Sequence, residues 1–275
     1  MKKFLIALLV IAIIAAVVVG GVFLYKTLSK GDELPVTPES TVDGENQPPP
    51  NLTKNTGADI LTAIANAQKE NPDTIGWLKI PDTNIDNSVL QSHDNDYYLR
   101  RTEAGAYDVY GCYFVDYECH TGTRDALSPN TVIYGHSDLK NSLDGFRFSQ
   151  LFNFTDANFA GETPYIYFST AEEYMVWQVM AVFYTDTKMD YITINQTPEQ
   201  LLALVDEGKS KSLYNYNCTF EPTDKLLCLS TCSVKYGGRA DERFVVMAKL
   251  LPSDAPLTDF ADFTVNENPV QPNFS

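Results

Sequence analysis

The sequence predicts a mainly β domain with a few added helices, of the mixed barrel or sandwich kind, preceded by one membrane-spanning helix. Three observations predict it. An uncharged apolar run occupies residues 4–25, and a proline-rich stretch follows it. The remaining chain consists mostly of short strand-forming runs with two amphipathic stretches between them. Such a mixture fits a β domain with added helices.

The apolar run at residues 4–25 is long enough to cross a bilayer core as a helix, which takes about 20 residues. A cleaved signal peptide has a shorter apolar core, about 7–15 residues, followed by small residues. Ala15-Ala16 and Gly20-Gly21 leave cleavage open, but the length favours an uncut anchor. Lysines flank the run on both sides, so charge alone does not fix its orientation.

Residues 26–57 are predicted to be a spacer. Prolines interrupt this stretch, three of them consecutive at 48–50, which favours an extended and semi-rigid chain. The alternative is that this stretch is disordered, and a disordered stretch would also keep the domain at a distance from the membrane. Residues 58–252 then suffice for one domain with its own core. The tail at 253–275 shows little periodicity, and we expect it to wrap around the domain or fray.

Two stretches predict helices. Residues 59–68 repeat apolar side chains at the spacing of one helical face, and Pro72 follows them. The second helix begins at Thr197, which can form a capping box with Gln200 and precedes a proline suited to the first turn. Gly208 is predicted to end that helix.

Strand-forming runs fill the rest of the domain. Two of them, 165–168 and 174–183, are separated by a short polar loop and predict a hairpin. Gly111 within another run suggests a bulge. The remaining predicted strands are 76–81, 109–115, 131–134, 225–230 and 244–250.

The charge of the chain argues against a nucleic-acid partner, and the arrangement of its possible ligands argues against a metal. The formal net charge is −16, with acidic side chains scattered along the chain, which argues against nucleic acid and fits a soluble surface. No metal or other cofactor is predicted, because Cys119-His120 offers two adjacent ligands without a second pair.

The cysteine count of 5 is odd. Cys112, Cys119, Cys218 and Cys228 could pair and leave Cys232 free. Buried free thiols, which behave as small apolar side chains, are the alternative.

Three predicted strand ends each carry one side chain suited to acyl transfer. Cys232 and His136 end apolar runs, and Arg243 begins one. A thiol attacks a carbonyl, an imidazole moves protons, and a guanidinium stabilises an oxyanion. Taken singly, each residue also has a non-catalytic interpretation. Cys232 could be a buried strand cysteine, His136 a histidine bonded to the backbone, and Arg243 a surface arginine in an ion pair. His93 and His120 are interpreted as loop residues.

These motifs resemble those of the sortases, the membrane-anchored transpeptidases of Gram-positive bacteria. Leu229-Ser230-Thr231-Cys232 looks like their cysteine motif, Tyr134-Gly135-His136 like their histidine motif, and Arg243 before a Val-rich strand like their arginine. The order of the three motifs along the chain, histidine, then cysteine, then arginine, is also that of the sortases. Gly76-Trp77-Leu78-Lys79-Ile80 and the residues after it are similar to class B in particular. One departure is that Ser137-Asp138 follows the histidine, where class B members often carry Asn and Met.

The resemblance implies an eight-stranded sortase-type β-barrel with an N-terminal helix and a helix late in the barrel. It implies that Cys232 forms an acyl-thioester with a sorting-motif peptide and that His136 moves protons to and from amines. Arg243 would bind the oxyanion, while Ser230 and Thr231 line the substrate groove. Arg243 is preferred to Arg239 because it abuts a strand, whereas Arg239 lies beside Gly237-Gly238.

The resemblance also orients the chain. Residues 1–3 would be cytoplasmic, 4–25 a signal-anchor in the cell membrane, and 26–57 an extracellular linker. Residues 58–252 would be the catalytic domain outside the cell, followed by the tail at 253–275. The implied partners are a sorting-motif peptide of surface proteins, an amine acceptor of peptidoglycan, and the membrane through the N-terminal helix.

Two other functions stay open at this point. A cell-surface cysteine peptidase would use the same groups for hydrolysis, although papain-like and related wall peptidases place cysteine before histidine in the chain. A catalytically idle module that binds wall peptides is the other alternative, and the intact cysteine, histidine and arginine speak against it.

Overall fold

The computed structural model describes residues 56–138 and 140–274. The predicted membrane span at 4–25 and most of the predicted linker lie outside these residues. Within the described ranges, no helix combines the length and the apolar character needed to cross a membrane. The described residues all belong to one compact unit, residues 51–275.

The domain is mainly β with a few helices, as predicted. Its strands are β1 (Thr74–Lys79), β2 (Asp86–Leu90), β3 (Tyr113–Val115), β4 (Asn130–Tyr134), β5 (Tyr165–Thr170), β6 (Trp177–Asp186), β7 (Tyr214–Tyr216), β8 (Leu226–Cys232), β9 (Glu242–Leu250) and β10 (Phe263–Val265). Eight of them close into a barrel in the order β1-β2-β3-β4-β8-β9-β6-β5. The other two, β7 and β10, pair with each other.

Three α-helices accompany the strands in the described ranges: α1 (Thr56–Glu70), α2 (Ala157–Glu162) and α3 (Pro198–Lys211). Short 3-10 segments occupy Tyr98–Arg100 and Arg147–Thr155. The two predicted helices are confirmed. The first, α1, extends beyond its predicted bounds at both ends, and α3 extends beyond its predicted C-terminal end.

The capping box of α3 is confirmed, but its predicted end is wrong. The Gln200 amide donates to the Thr197 hydroxyl, and the Gln200 side chain accepts from the Thr197 amide. The helix continues past Gly208 to Lys211. Gly208 is buried there, and a Cβ at this position would lie 2.6 Å from the sulfur of Met247 in β9. The glycine therefore permits close packing of helix on sheet and does not stop the helix.

The predicted strand 109–115 is also too long, since β3 begins only at Tyr113. The preceding residues form a turn in which the Tyr110 amide donates to the Asp108 carboxylate at 2.7 Å. Gly111 adopts a φ of +54°, and a Cβ there would meet the carbonyl oxygen of Tyr98. Gly111 thus belongs to a turn rather than to a bulge in a strand.

Strand β8 shows why the stretch from Leu226 to Leu229 is apolar at every position. Every residue from Leu226 to Thr231 is buried, and only Cys232 at its end is exposed. A strand covered on both faces has no solvent-facing side to carry polar residues. The parallel pairing of β8 with β4 and its antiparallel pairing with β9 place it at the centre of this wall of the barrel.

Candidate functional site

One edge of the barrel receives the ends of three neighbouring strands. Strands β4 and β8 are parallel, with Tyr134 opposite Ser230, so their carboxyl ends point the same way. Strand β9 is antiparallel to β8 and begins at that edge. Cys232 is the last residue of β8, His136 lies two residues beyond β4, and Arg243 is the second residue of β9.

Gly135 allows the chain to turn from β4 to His136. Its amide donates to the Ser230 carbonyl at 3.3 Å, which extends the β4–β8 pairing by one residue. A Cβ at Gly135 would lie 2.8 Å from the ring of Phe148 and 2.9 Å from that of Tyr113. A side chain here would therefore push His136 away from the end of β8.

Cys232 differs from the other cysteines in its surroundings. All five are free in the structure, four of them buried, and Cys232 alone is exposed among them. Burial raises the pKa of Cys119 to about 12 and also raises the pKa of Cys112, Cys218 and Cys228. These four thiols stay protonated at neutral pH, and only a thiolate is a good nucleophile.

A direct bond ties the cysteine to the histidine segment. The Ser137 hydroxyl, next to His136 in sequence, donates to the main-chain carbonyl of Cys232 at 2.7 Å. Nearby, the Val234 amide donates to the Asn141 side chain at 3.2 Å. Two hydrogen bonds thus connect the segment that follows β4 with the end of β8 and the residues after it.

The guanidinium of Arg243 is held by main-chain carbonyls. Its Nη1 donates to Ala240 at 2.9 Å and to Glu242 at 2.8 Å. Within the described residues, its Nε and Nη2 have no hydrogen-bond partner, so these N–H groups are available to a bound molecule. The Glu242 carboxylate is fully buried and accepts the amides of Tyr236 and Arg239.

His136 lies beside a second arginine. Its Nε2 is 2.9 Å from the Leu99 carbonyl oxygen and 2.9 Å from Nη1 of Arg100. The pKa of His136 is lowered, mainly by burial. The hydrogen bond to Leu99 acts in the opposite direction and raises this pKa, whereas the charges of Arg100 and Arg147 lower it further. His136 is therefore neutral over more of the physiological range than an ordinary histidine.

The three predicted catalytic residues line one cavity of about 250 Å³. Ser230 and Thr231, predicted to line a groove, also border it. The Ser230 hydroxyl is 2.9 Å from the hydroxyl of Tyr191, whose pKa burial raises to about 12. The other walls are mostly apolar and are formed by Leu99, Phe114, Met189, Tyr191 and Ile192.

A buried carboxylate fixes two more of the side chains that line this cavity. Asp116 accepts the Tyr134 hydroxyl at 2.8 Å and the Asn95 side-chain amide at 2.7 Å, and both partners line the cavity. Asp116 is itself buried. This network holds the end of β4 in place just before Gly135.

The structure brings the predicted side chains to one cavity, and sequence reasoning missed several of their contacts. Arg100, Ser137, Glu242 and Tyr191 all contact the predicted site residues. Ser137 could have been noticed from its position after His136. Arg100 reaches His136 across 36 positions in sequence, and no local pattern indicates that contact. Arg239 is ion-paired with Asp241 instead and does not line the cavity.

Comparisons with known proteins agree on one family. Residues 78–251 match the family model described as a Sortase domain. Sortase B of Listeria monocytogenes is 34% identical over 202 residues, which cover 72% of this chain and 78% of that protein.

Solved structures give the same result. A Staphylococcus aureus sortase B–substrate complex is 26% identical, with a TM-score of 0.61 over 71% of this chain and 87% of that one. A crystal structure of Sortase B complexed with triglycine is 27% identical, with a TM-score of 0.60 over 69% of this chain and 86% of that one.

Proposed function

Because the chain belongs to the sortase family and is a class B sortase, a cysteine transpeptidase, we propose that Cys232, His136 and Arg243 carry its catalysis. The observation that carries this assignment is their convergence on one cavity at one barrel edge. Cys232 is the exposed cysteine of the described chain, and the other four thiols are buried.

In the first half of the reaction, the Cys232 thiolate attacks the carbonyl carbon of the scissile peptide bond. A C–S bond forms, and the carbonyl oxygen takes up negative charge. The free N–H groups of Arg243 stabilise that oxyanion, and a planar fork suits this better than an ammonium. In the reactive state of the enzyme His136 carries a proton beside the Cys232 thiolate, and the C–N bond breaks as His136 delivers that proton to the leaving amine and becomes neutral.

In the second half, an incoming amine attacks the thioester carbon. His136, now neutral, accepts a proton from this amine, a C–N bond forms, and the C–S bond breaks to regenerate the thiolate.

The proposed substrates are a sorting-motif peptide of surface proteins and an amine of peptidoglycan. The similar structure described as a sortase B–substrate complex supports the first, and the Sortase B complex with triglycine supports an amine acceptor. The apolar lining suits the side chains of an extended peptide, with Ser230 and Thr231 at its edge.

A peptide panel tests this function. Fluorescent pentapeptides, each assayed with and without an amine nucleophile, should give a ligated product that forms only with the wild-type chain and an amine. Cys232→Ala is the matched control and should give no product. If the amine neither forms a ligated product nor raises the turnover of any peptide, the chain is acting as a hydrolase and the transpeptidase assignment fails for these substrates.

We place the chain in the cell membrane as a single-pass protein with its catalytic domain outside the cell. The apolar run at 4–25 and the prolines of residues 26–57 support this placement. Protease added to intact cells should remove the domain from the full-length chain. A variant lacking residues 1–30 should be soluble and active, and insolubility of this variant would contradict the boundary near residue 58.

A further inference from the structure

The last described residues, 266–274, form what we call the C-terminal strap. It lies beyond residues 78–251, which the family model matches. The strap is attached to the end of α3: the Asn266 amide donates to Leu213 at 2.9 Å, and the Val270 amide donates to Ser210 at 3.0 Å. From there its final residues reach the side of the barrel that carries the cavity.

The strap contacts the loop between Cys232 and Arg243, residues 233–241, which we call the arginine loop. The Tyr236 hydroxyl donates to the Gln271 side chain at 2.6 Å. The ring of Phe274 lies 5.3 Å from that of Tyr236 and 5.1 Å from the guanidinium carbon of Arg239. One aromatic residue of the strap is thus in contact with two residues of the arginine loop.

The strap also contacts the loop between β6 and α3, residues 187–197. Nζ of Lys188 donates to the Asn273 carbonyl at 3.3 Å. The neighbours of Lys188 on either side, Thr187 and Met189, both line the cavity. The strap therefore joins the β6–α3 loop, which borders the cavity, to the arginine loop, which connects the cavity residues Cys232 and Arg243.

The arginine loop has a permissive backbone, and contacts from the strap and from the Glu242 carboxylate both hold it. Gly237 and Gly238 adopt φ values of +108° and +75°, a region that costs glycine little. The loop also carries the Ala240 carbonyl that holds Nη1 of Arg243. A displacement of the loop is consequently passed on to the guanidinium.

We propose that the C-terminal strap is a positioning element for transpeptidation, which fixes the arginine loop relative to the β6–α3 loop through Phe274, Gln271 and Asn273. Phe274 and Tyr236 are positioning residues: they lie outside the cavity and act through Ala240 and Arg243. This inference rests on the proposed roles of Cys232 and Arg243. A misplaced donor loses catalytic effect steeply, since displacement of about 1 Å can cost about 100-fold in rate.

The experiment uses the full-length chain, with kcat and KM for a cleavable sorting peptide. Phe274→Ala should lower kcat/KM about tenfold or more, and Phe274→Tyr, which keeps the ring, should restore most of it. Phe260→Ala is the matched control, because Phe260 is a tail residue that is 65% exposed. It should behave as wild type.

A double-mutant cycle between Tyr236→Ala and Phe274→Ala separates positioning from general stability. If the strap acts through this contact, the two effects on kcat/KM are strongly non-additive. Amides of residues 234–241 should also exchange hydrogen faster in Phe274→Ala and not in Phe260→Ala.

Cys232→Ala is assayed alongside: if it stays active, the proposed catalytic residues are wrong. If it is inactive while Phe274→Ala turns over normally below its melting temperature, only the strap proposal is overturned.

Discussion

Cys232 and Arg243 stand directly opposite each other as the last residue pair of the antiparallel β8–β9 ladder. Paired residues in such a ladder carry side chains on the same face, with Cβ atoms about 4.5–5.5 Å apart. The separation of the two Cβ atoms is thus set by strand pairing. The position of the guanidinium at the far end of the Arg243 side chain depends in addition on the Ala240 and Glu242 carbonyls that accept from its Nη1.

Cys232→Ala should abolish peptide cleavage and leave the melting temperature nearly unchanged, because the thiol is exposed at a strand end. The measurement is intact mass after incubation with substrate, which should reveal no acyl-enzyme. Cys228→Ala is the contrasting variant: Cys228 is fully buried in the same strand, so stability should fall while activity at 25 °C persists. An acyl-enzyme in the Cys232 variant would refute the nucleophile.

Arg243→Lys should lower turnover by about 10²–10³, the usual cost of losing a good oxyanion donor. Lysine keeps the charge but lacks the planar fork. Arg239→Ala should cost much less, since Arg239 is ion-paired with Asp241 away from the cavity. Turnover of a cognate sorting peptide by the two variants decides the assignment, and the reverse ranking would transfer the role to Arg239.

His136→Ala should be nearly inactive, because acid–base assistance contributes about 10²–10⁴ in rate. His93→Ala and His120→Ala should keep most of the activity, since both side chains are exposed in loops, as predicted from sequence. The check is kcat/KM for all three variants against one peptide. Comparable inactivity of the His120 variant would place the site on another face.

The convergence of Cys232, His136 and Arg243 on one cavity could be predicted because each residue is marked locally in the sequence. Each of the three side chains adjoins an apolar run, and the parallel β4–β8 pair carries the ends of two runs to one edge. The helix start at Thr197 was equally visible, because a capping box is a short-range pattern.

The errors arose where tertiary contacts override local pattern. Gly208 resembles a helix stop, yet its packing on Met247 keeps it inside α3. Val109 and Tyr110 resemble a strand, yet both are exposed because the Asp108 turn and Gly111 redirect the chain. The tail gave no periodic signal, although its Phe263 packs on Tyr214 with ring centroids 4.8 Å apart.

Glu242→Gln should destabilise the domain by about 1–3 kcal/mol, the cost of leaving a buried donor unsatisfied. The carboxylate accepts two backbone amides, from Tyr236 and Arg239, whereas glutamine offers one oxygen and turns an NH₂ towards the other amide. Urea unfolding measures the loss, and Glu70→Gln, at an exposed position of α1, is the control. Equal stability of the two variants would show that Glu242 does not organise the arginine loop.

Arg100→Gln should move the acidic limb of the kcat/KM profile to higher pH. Burial, Arg100 and Arg147 lower the pKa of His136, so removal of one positive charge 2.9 Å from Nε2 raises that pKa. A higher pKa means that His136 keeps its proton to higher pH. The acidic limb of the kcat/KM profile reports the lower of the pKa values of the essential groups, so it moves to higher pH together with the pKa of His136. Arg101→Gln is the matched control, because Arg101 stacks on Tyr97 instead. Arg100 is exposed, so added salt should shrink the difference between Arg100→Gln and wild type. An acidic limb that stays in place or moves to lower pH would show that Arg100 does not act on His136.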